Sequence, residues 1–279
     1  MTISASCAPK KIVVKPYNLR RLFTLFGECK LAVPHLQREF VWNAKKACKL
    51  LDSIEQNFPI GTAMIWPTGS ENRPLLRLQN HFLPHFNDAR NKEIFFIIDG
   101  QQRLSVLYQV RRGECMANHR GREIDFGSIH FDVRPEADAR FVTAKRPDAD
   151  WHVRVADILA SDWRRRVRHL PGYKRNEVEK FRRRFFAYEM FLIFTPARKL
   201  EAVRETFIRI NAQGTPVSAA DKAFARASQI DLRGFASEVR HGLSHGFDQI
   251  KPEVVLSAFA LIHGEREISE RARDRKSVV

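Results

Sequence analysis

Apolar residues recur along this chain in two rhythms. Leu19, Leu22, Phe23 and Phe26 sit three, one and three positions apart, which puts them on one helical face and predicts a helix within residues 17–30. Residues 31–33 read as a short strand running into Pro34. Asn43 stands where a helix N-cap belongs. Ala47, Leu50, Leu51, Ile54 and Phe58 follow at helical spacing, so residues 43–57 form an amphipathic helix. Pro59 and Gly61 punctuate, and residues 60–66 read as a buried strand. Ile94-Phe95-Phe96-Ile97-Ile98 is an unbroken apolar run, as in a strand covered on both faces. A helix must follow, because Leu104, Leu107 and Tyr108 share one stripe. A further strand spans residues 129–133. Residues 1–15 look like a loose leader. Residues 67–91, rich in Pro, Asn and His, read as a loop or insertion.

Beyond residue 149 helical patterns dominate, over 155–159, 177–188 and 199–210. A strand over 190–194 interrupts them and stops at Pro196. Helices are also expected over 218–227 and 253–262. The chain thus divides into a part with interleaved strands and helices, 1–148, and a mainly helical region, 149–273. The ending, Asp274-Arg275-Lys276-Ser277-Val278-Val279, matches the translation of a widely used sequencing adapter. Residues 274–279 are therefore expected to be non-native, the reading frame to have been cut short, and a C-terminal domain to be missing.

Composition narrows the class. Of 279 residues, 44% are hydrophobic and 21 are Phe, enough for a packed core. No stretch approaches the ~20 apolar residues that cross a bilayer. The first residues lack the basic-then-apolar order of a secretory signal, so a cytoplasmic protein is expected. Cys7, Cys29, Cys48 and Cys115 form no C-x-x-C pair and no zinc-type cluster, which predicts free thiols. The 48 Lys and Arg residues against 32 Asp and Glu give a net charge of +16. Such a balance favours polyanions, because neutralising phosphates releases condensed counterions. Two basic runs stand out: Arg164, Arg165, Arg166 and Arg168, then Lys180, Arg182, Arg183 and Arg184. They favour nucleic-acid contact over a merely solvated basic face, although charge alone does not separate DNA from RNA or a membrane surface.

Three segments carry candidate chemistry. The first is Asp99-Gly100-Gln101-Gln102-Arg103, between a buried strand and a helix. Gly100 permits a tight turn and close approach of a ligand. The helix start offers unpaired N–H groups and a positive dipole end. Arg103 adds a planar fork suited to phosphate. Asp99 suits a hard cation such as Mg²⁺ that bridges phosphates, and Gln101 and Gln102 suit a water or a base edge. The plainer alternative is a turn with Asp99 as N-cap and Arg103 in a surface salt bridge. The second segment is Gln37-Arg38 with Trp42, which suits a phosphate or a base; otherwise Phe40 and Trp42 are core anchors. The third spans residues 207–216. There Asn211 and Gly214 end a helix, Pro216 blocks its continuation, and Ser218 caps the next helix with Asp221 three residues on. Ordinary joinery between two helices accounts for it equally.

In this order and spacing, the three segments resemble the N-terminal domain of GmrSD-type modification-dependent restriction proteins, also found in the phosphorothioate-sensing SspE proteins. That family shows a Gln-Arg-x-aromatic-x-Trp box, a helix ending in Ser-Ile with Pro-Ile-Gly after it, an Ile-Asp-Gly-Gln-Gln-Arg-Leu motif, and a later Phe-x-Arg-Ile-Asn segment. The counterparts here are Gln37-Arg38-Glu39-Phe40-Val41-Trp42, Ser53-Ile54, Pro59-Ile60-Gly61, Ile98 to Leu104, and Phe207 to Ser218, so the resemblance covers about residues 17–227. It implies an α+β fold similar to the ParB/sulfiredoxin group: a small mixed sheet with helices, followed by a mainly helical region. It implies a module that binds and hydrolyses a nucleoside triphosphate with Mg²⁺, in a DNA-defence system whose cutting belongs to a separate HNH nuclease domain. By the same resemblance Asp99 serves metal or nucleotide, and Gln101, Gln102 and Arg103 the phosphates. Gln37, Arg38 and Gly100 line the same pocket, and Asn211 closes it. Two departures stand out. Glu39 replaces the family's usual Pro, loosening the turn after Arg38. No HNH-type cluster follows Asn211, since His241, His245 and His263 are scattered.

Three activities are therefore open. The leading one is a nucleoside triphosphatase coupled to restriction. The others are a nucleotide-gated, ParB-like DNA clamp without turnover, and a metal-dependent DNA nuclease using Asp99.

Overall fold

The computed structural model describes residues 9–34, 37, 40–76, 82–87, 91–118, 121–196, 200–212, 239 and 254–255. The expected helices over 218–227 and 253–262 (Val254 and Val255 apart), the three scattered histidines and the tail 274–279 lie outside the described residues.

The first element differs from the expected loose leader. Residues Val13–Asn18 form strand β1, whose alternation of half-buried and exposed positions around Lys15 and Pro16 suits the rim of a sheet. Helix α1, Leu19–Gly27, starts at Asn18, whose side chain accepts from Arg21 N at 2.9 Å. Strand β2 is Leu31–Ala32. Helix α2, Ala44–Glu55, is capped by Asn43 as its sequence requires, with Oδ1 accepting from Lys46 N at 3.0 Å. Next come β3, Ala63–Thr68, then β4, Ile94–Asp99, and helix α3, Gln101–Arg112.

A ribbon of β5, Cys115–Ala117, and β6, Glu123–Asp125, precedes an antiparallel sheet ordered β8-β7-β9. Its strands are β7, Ile129–Asp132, β8, Phe141–Thr143, and β9, His152–Arg154. Helices α4, Val155–Leu159, α5, Trp163–Arg166, and α6, Gly172–Ala187, follow. Strand β10, Glu189–Phe194, and helix α7, Leu200–Ala212, complete the described elements.

The main sheet is mixed, in the order β1-β10-β3-β4-β2. β10 runs antiparallel to β1 and parallel to β3; β4 runs antiparallel to β3 and parallel to β2. Residues from both sides of position 148 thus share one sheet. This small mixed sheet with its helices is the α+β fold that the family resemblance implies.

β4 explains its own unbroken apolar run. Phe95 and Ile97 join the large core with α1, α2, α3 and α6, while Ile94, Phe96 and Ile98 pack on the other face with Trp66 and with Val203 and Phe207 of α7. Five consecutive side chains are buried because both faces are covered. At about 25 cal/mol per Å² of apolar area, this strand is a major contributor to stability, and it delivers Asp99 to the end of the sheet.

The thiols of Cys29, Cys48 and Cys115 are free. Among the described residues, no helix is long and apolar enough to cross a membrane.

Candidate functional site

The end of β4 is irregular, and the irregularity builds the site. Met64 pairs with Asp99 but Ile65 pairs with Ile97, so the register shifts by one residue there. Such bulges re-aim side chains and are common beside functional sites. On the other side of β4, β2 pairs only with Phe95 and Phe96. Where β2 ends, the Gln37 side chain takes over as partner: its Nε2 donates to Ile97 O at 2.9 Å and to Ile98 O at 2.6 Å. This buried carboxamide satisfies carbonyls that would otherwise be orphaned at the sheet end.

Gly100 then turns the chain with φ of +89°. A Cβ there would lie 2.8 Å from Ala63 Cβ and 3.0 Å from its Cα, so both the left-handed backbone and the close packing on β3 demand glycine. Gly100, not Asp99, is the N-cap of α3, and it offers no side-chain hydrogen bond to the helix start. The opening N–H groups of α3 therefore lack a side-chain cap, a favourable place for an anion.

Arg103 is held at two points. Nη1 donates to Ile60 O at 2.8 Å, and Nη2 to Asp99 Oδ2 at 3.2 Å. Gly61 makes this possible: its φ is +82°, and a Cβ would fall 2.0 Å from Arg103 Nη1. Tyr188 at the end of α6 fixes the same turn from below. Its hydroxyl donates to Phe58 O at 2.8 Å and accepts from Ile60 N at 3.1 Å. Gln102 is likewise engaged, with Oε1 accepting from Val41 N at 2.9 Å and Trp42 N at 3.2 Å, which ties the 40–42 loop to α3. Gln101 is different. It is 4% exposed, and its Oε1 is buried without a hydrogen-bond partner.

These residues enclose a pocket of about 340 Å³, lined by Gln37, Trp42, Ile60, Asp99, Gly100, Gln101, Gln102 and Arg103. Six of the eight residues singled out from the sequence thus converge on one cavity. Arg38 lies outside the described residues, as does the side chain of Asn211, whose backbone forms part of the last turn of α7. Trp42 serves two ends at once, packing against the core while lining the pocket. Ile60, Gly61 and Tyr188 escaped sequence reasoning as site components. Pro59-Ile60-Gly61 is legible as a motif, but nothing local in it points to an arginine 43 positions away.

The uncapped start of α3 gives the cavity a side suited to an anion, and Asp99 gives it a carboxylate suited to a cation. Among the described residues, Asp99 is the single acidic residue lining it, and no group of three or more His, Cys, Asp and Glu could hold a metal by protein ligands alone. A single carboxylate fits Mg²⁺, which usually binds through one or two carboxylates together with substrate phosphates.

Comparison with known proteins agrees with the geometry. A stretch of 95 residues is 34% identical to an uncharacterized protein of Methanocaldococcus jannaschii, covering 33% of this chain and 16% of that protein. The chain therefore spans a small fraction of that relative's length. The profile of the GmrSD restriction endonuclease N-terminal domain matches residues 22–227, which contain every element from α1 to α7 except its first few residues. With most of its length matched, and with the Asp-Gly-Gln-Gln-Arg segment at the heart of its pocket, the chain belongs to the GmrSD restriction endonuclease N-terminal domain family.

Proposed function

We propose that this domain binds a nucleoside triphosphate in the Asp99–Arg103 pocket and hydrolyses it, and that hydrolysis drives a DNA restriction system whose strand cutting belongs to a separate HNH nuclease domain. The carrying observation is the uncapped start of α3 next to Gln101, whose buried Oε1 has no partner. A helix start favours phosphate oxygens, while a lone buried acceptor is costly unless a ligand or water supplies a donor.

Roles follow from what each residue has left to give. Gln37 and Gln102 hold the framework, since their carboxamides anchor β4 and the 40–42 loop. The first N–H groups of α3 take phosphate oxygens. Arg103 orients Asp99 through their ion pair and adds positive charge beside the phosphates. Asp99 Oδ1, outside that pair, would hold Mg²⁺, which when bound neutralises charge on the phosphate oxygens. Gln101 Oε1 accepts a hydrogen bond from the attacking water and positions it. Trp42 offers an aromatic wall for a base. The mechanism is positioning plus charge neutralisation, which supplies most of the effect in phosphoryl transfer. One lining carboxylate is few ligands for a nuclease of the two-metal kind, so the triphosphatase is favoured over direct DNA cleavage.

The test is phosphate release by the purified chain with Mg²⁺ and each of four nucleoside triphosphates, with and without plasmid DNA, beside Arg103→Ala. Turnover lost in the variant supports the assignment. Nucleotide-dependent DNA binding without release would replace it with a gated clamp, and nicking without nucleotide would replace it with a nuclease.

A further inference from the structure

The fold redistributes the basic charge of the chain. Four of the eight cations in the two sequence runs form close ion pairs within the fold. Arg165 pairs with Asp162 at 2.8 Å, and Arg166 with Asp157 at 2.8 Å and Asp162 at 2.7 Å. Lys180 pairs with Glu177 at 2.7 Å, and Arg184 with Glu55 at 2.6 Å. Two of the remaining cations, Arg164 and Arg182, gather with Arg20 and Arg111 where four elements meet.

Arg20 of α1, Arg111 of α3, Arg164 of α5 and Arg182 of α6 are linked through three aromatic rings. Arg164 and Arg182 stack on Trp163, at 4.9 and 5.4 Å from the ring centre. Arg182 and Arg20 share Phe186, at 4.6 and 5.3 Å. Phe186 meets Phe23 edge-on at 5.9 Å, and Arg111 lies 4.8 Å over Phe23. Among the described residues, Arg20, Arg111 and Arg182 have no acidic partner. Arg164 has only Glu179, at 3.6 Å between two exposed side chains, a pairing of small worth. The cluster pushes on itself: burial first, then the charges of Arg111, Arg20 and Arg164, bring the Arg182 guanidinium down to about 10. Four guanidinium groups stacked on rings, three of them without an acidic partner among the described residues and Arg182 also held by Ile158 O at 2.6 Å, suit a row of closely spaced anions.

We propose that Arg20, Arg111, Arg164 and Arg182 form a docking surface for the phosphodiester backbone of duplex DNA, separate from the nucleotide pocket. Arg111 lies near the end of α3 opposite Arg103, roughly 12 Å away at 1.5 Å per helical residue. The same helix thus has the nucleotide pocket at its start and DNA at its end. The choice of DNA over other polyanions rests on the restriction family of the chain. The surface itself does not depend on nucleotide hydrolysis.

The test is the salt dependence of binding of the full chain to a short fluorescein-labelled DNA duplex, by anisotropy. Arg20→Gln/Arg164→Gln is the main variant, because both side chains are exposed, and thermal melts confirm that it is folded. Each lost phosphate contact should flatten the plot of log affinity against log salt by about 0.9, so the double variant loses roughly 2 from the slope. Arg165→Gln, which removes a cation already matched by Asp162, leaves the slope unchanged. Nucleotide binding, measured on the same samples, is unaffected by either variant. An unchanged slope in the double variant overturns the surface, as does an equal effect per residue of Arg165→Gln. Tighter binding of duplex RNA or of anionic vesicles overturns the choice of DNA. Cluster-dependent DNA binding in a chain that binds no nucleotide would leave this surface standing and remove only the reading of the pocket.

Discussion

Arg103 Nη2 stands 3.2 Å from Asp99 Oδ2, one helical turn behind it, while the other arm of the guanidinium holds the carbonyl of Ile60. The pair therefore does two jobs. It fastens the turn before β3 to the start of α3, and it fixes the carboxylate at the pocket wall. Arg103→Ala removes both. Loss of hydrolysis by roughly 10²-fold or more is expected, the scale on which misplacing a reacting group is felt. Arg103→Lys keeps the charge but has no planar fork to span Ile60 O and Asp99 together, so it should recover nucleotide binding better than turnover. Titration beside phosphate release separates the two effects.

Gln101 gives the sharpest test, because its two expected effects have opposite signs. A buried acceptor with no partner costs about 1–3 kcal/mol. Gln101→Leu removes that cost and should raise the melting midpoint by a few degrees, at about 2–4 °C per kcal/mol for a domain of this size. The same change deletes the proposed water-positioning group and should abolish turnover. A variant that melts lower yet still turns over would remove Gln101 from the mechanism.

Gly100→Ala meets both an unfavourable backbone angle and the side of Ala63. A loss of roughly 1–3 kcal/mol is expected from the strained conformation, read as a lower urea midpoint. Gly61→Ala meets the same kind of backbone strain and collides with the Arg103 guanidinium as well, so it should cost a similar amount of stability and, by displacing Arg103, also cut turnover.

His130, on β7, is nearly buried, and burial leads the causes that push its imidazole below the ordinary range. A histidine whose folded value is depressed takes up protons more readily when unfolded. Its contribution is therefore present above the unfolded value, about 6.5, and is lost as pH falls below it. The melting midpoint should decline from pH 7 toward pH 5.5, and His130→Gln should flatten that decline. Thermal melts across this window check it.

The legible parts of this fold were those where neighbours in sequence share one environment. The Asn43 cap and the α2 stripe, the doubly covered run of β4, and the helix after Gly100 could all be read directly. β1 was missed because Lys15 and Pro16 break its apolar character; what makes it a strand is β10, far along the chain. The short strands β8 and β9 escaped because three residues give no rhythm, and their hydrogen bonds come from β7. In the site, the residue types and their convergence were legible, but their attachments were not. Nothing near Arg103 in sequence announces the Ile60 carbonyl, and nothing near Gln37 announces the end of β2. The basic runs were legible as charge but not as pairing: Asp162 and Glu177 lie three or four residues from their partners, whereas Asp157 and Glu55 come from other helices.

The position of β10 has a consequence for how the protein is born. It lies between β1 and β3, yet it is made long after both. While the ribosome is still adding residues 69–188, β1 has no neighbour and β3 shows a bare, apolar edge, the kind of edge that invites wrong pairing. Tyr188, which steadies the Ile60 turn, emerges just ahead of β10. The nascent chain therefore cannot mature its pocket piecemeal. The pocket around Asp99 to Arg103 takes shape only when a strand encoded much later slides into the gap.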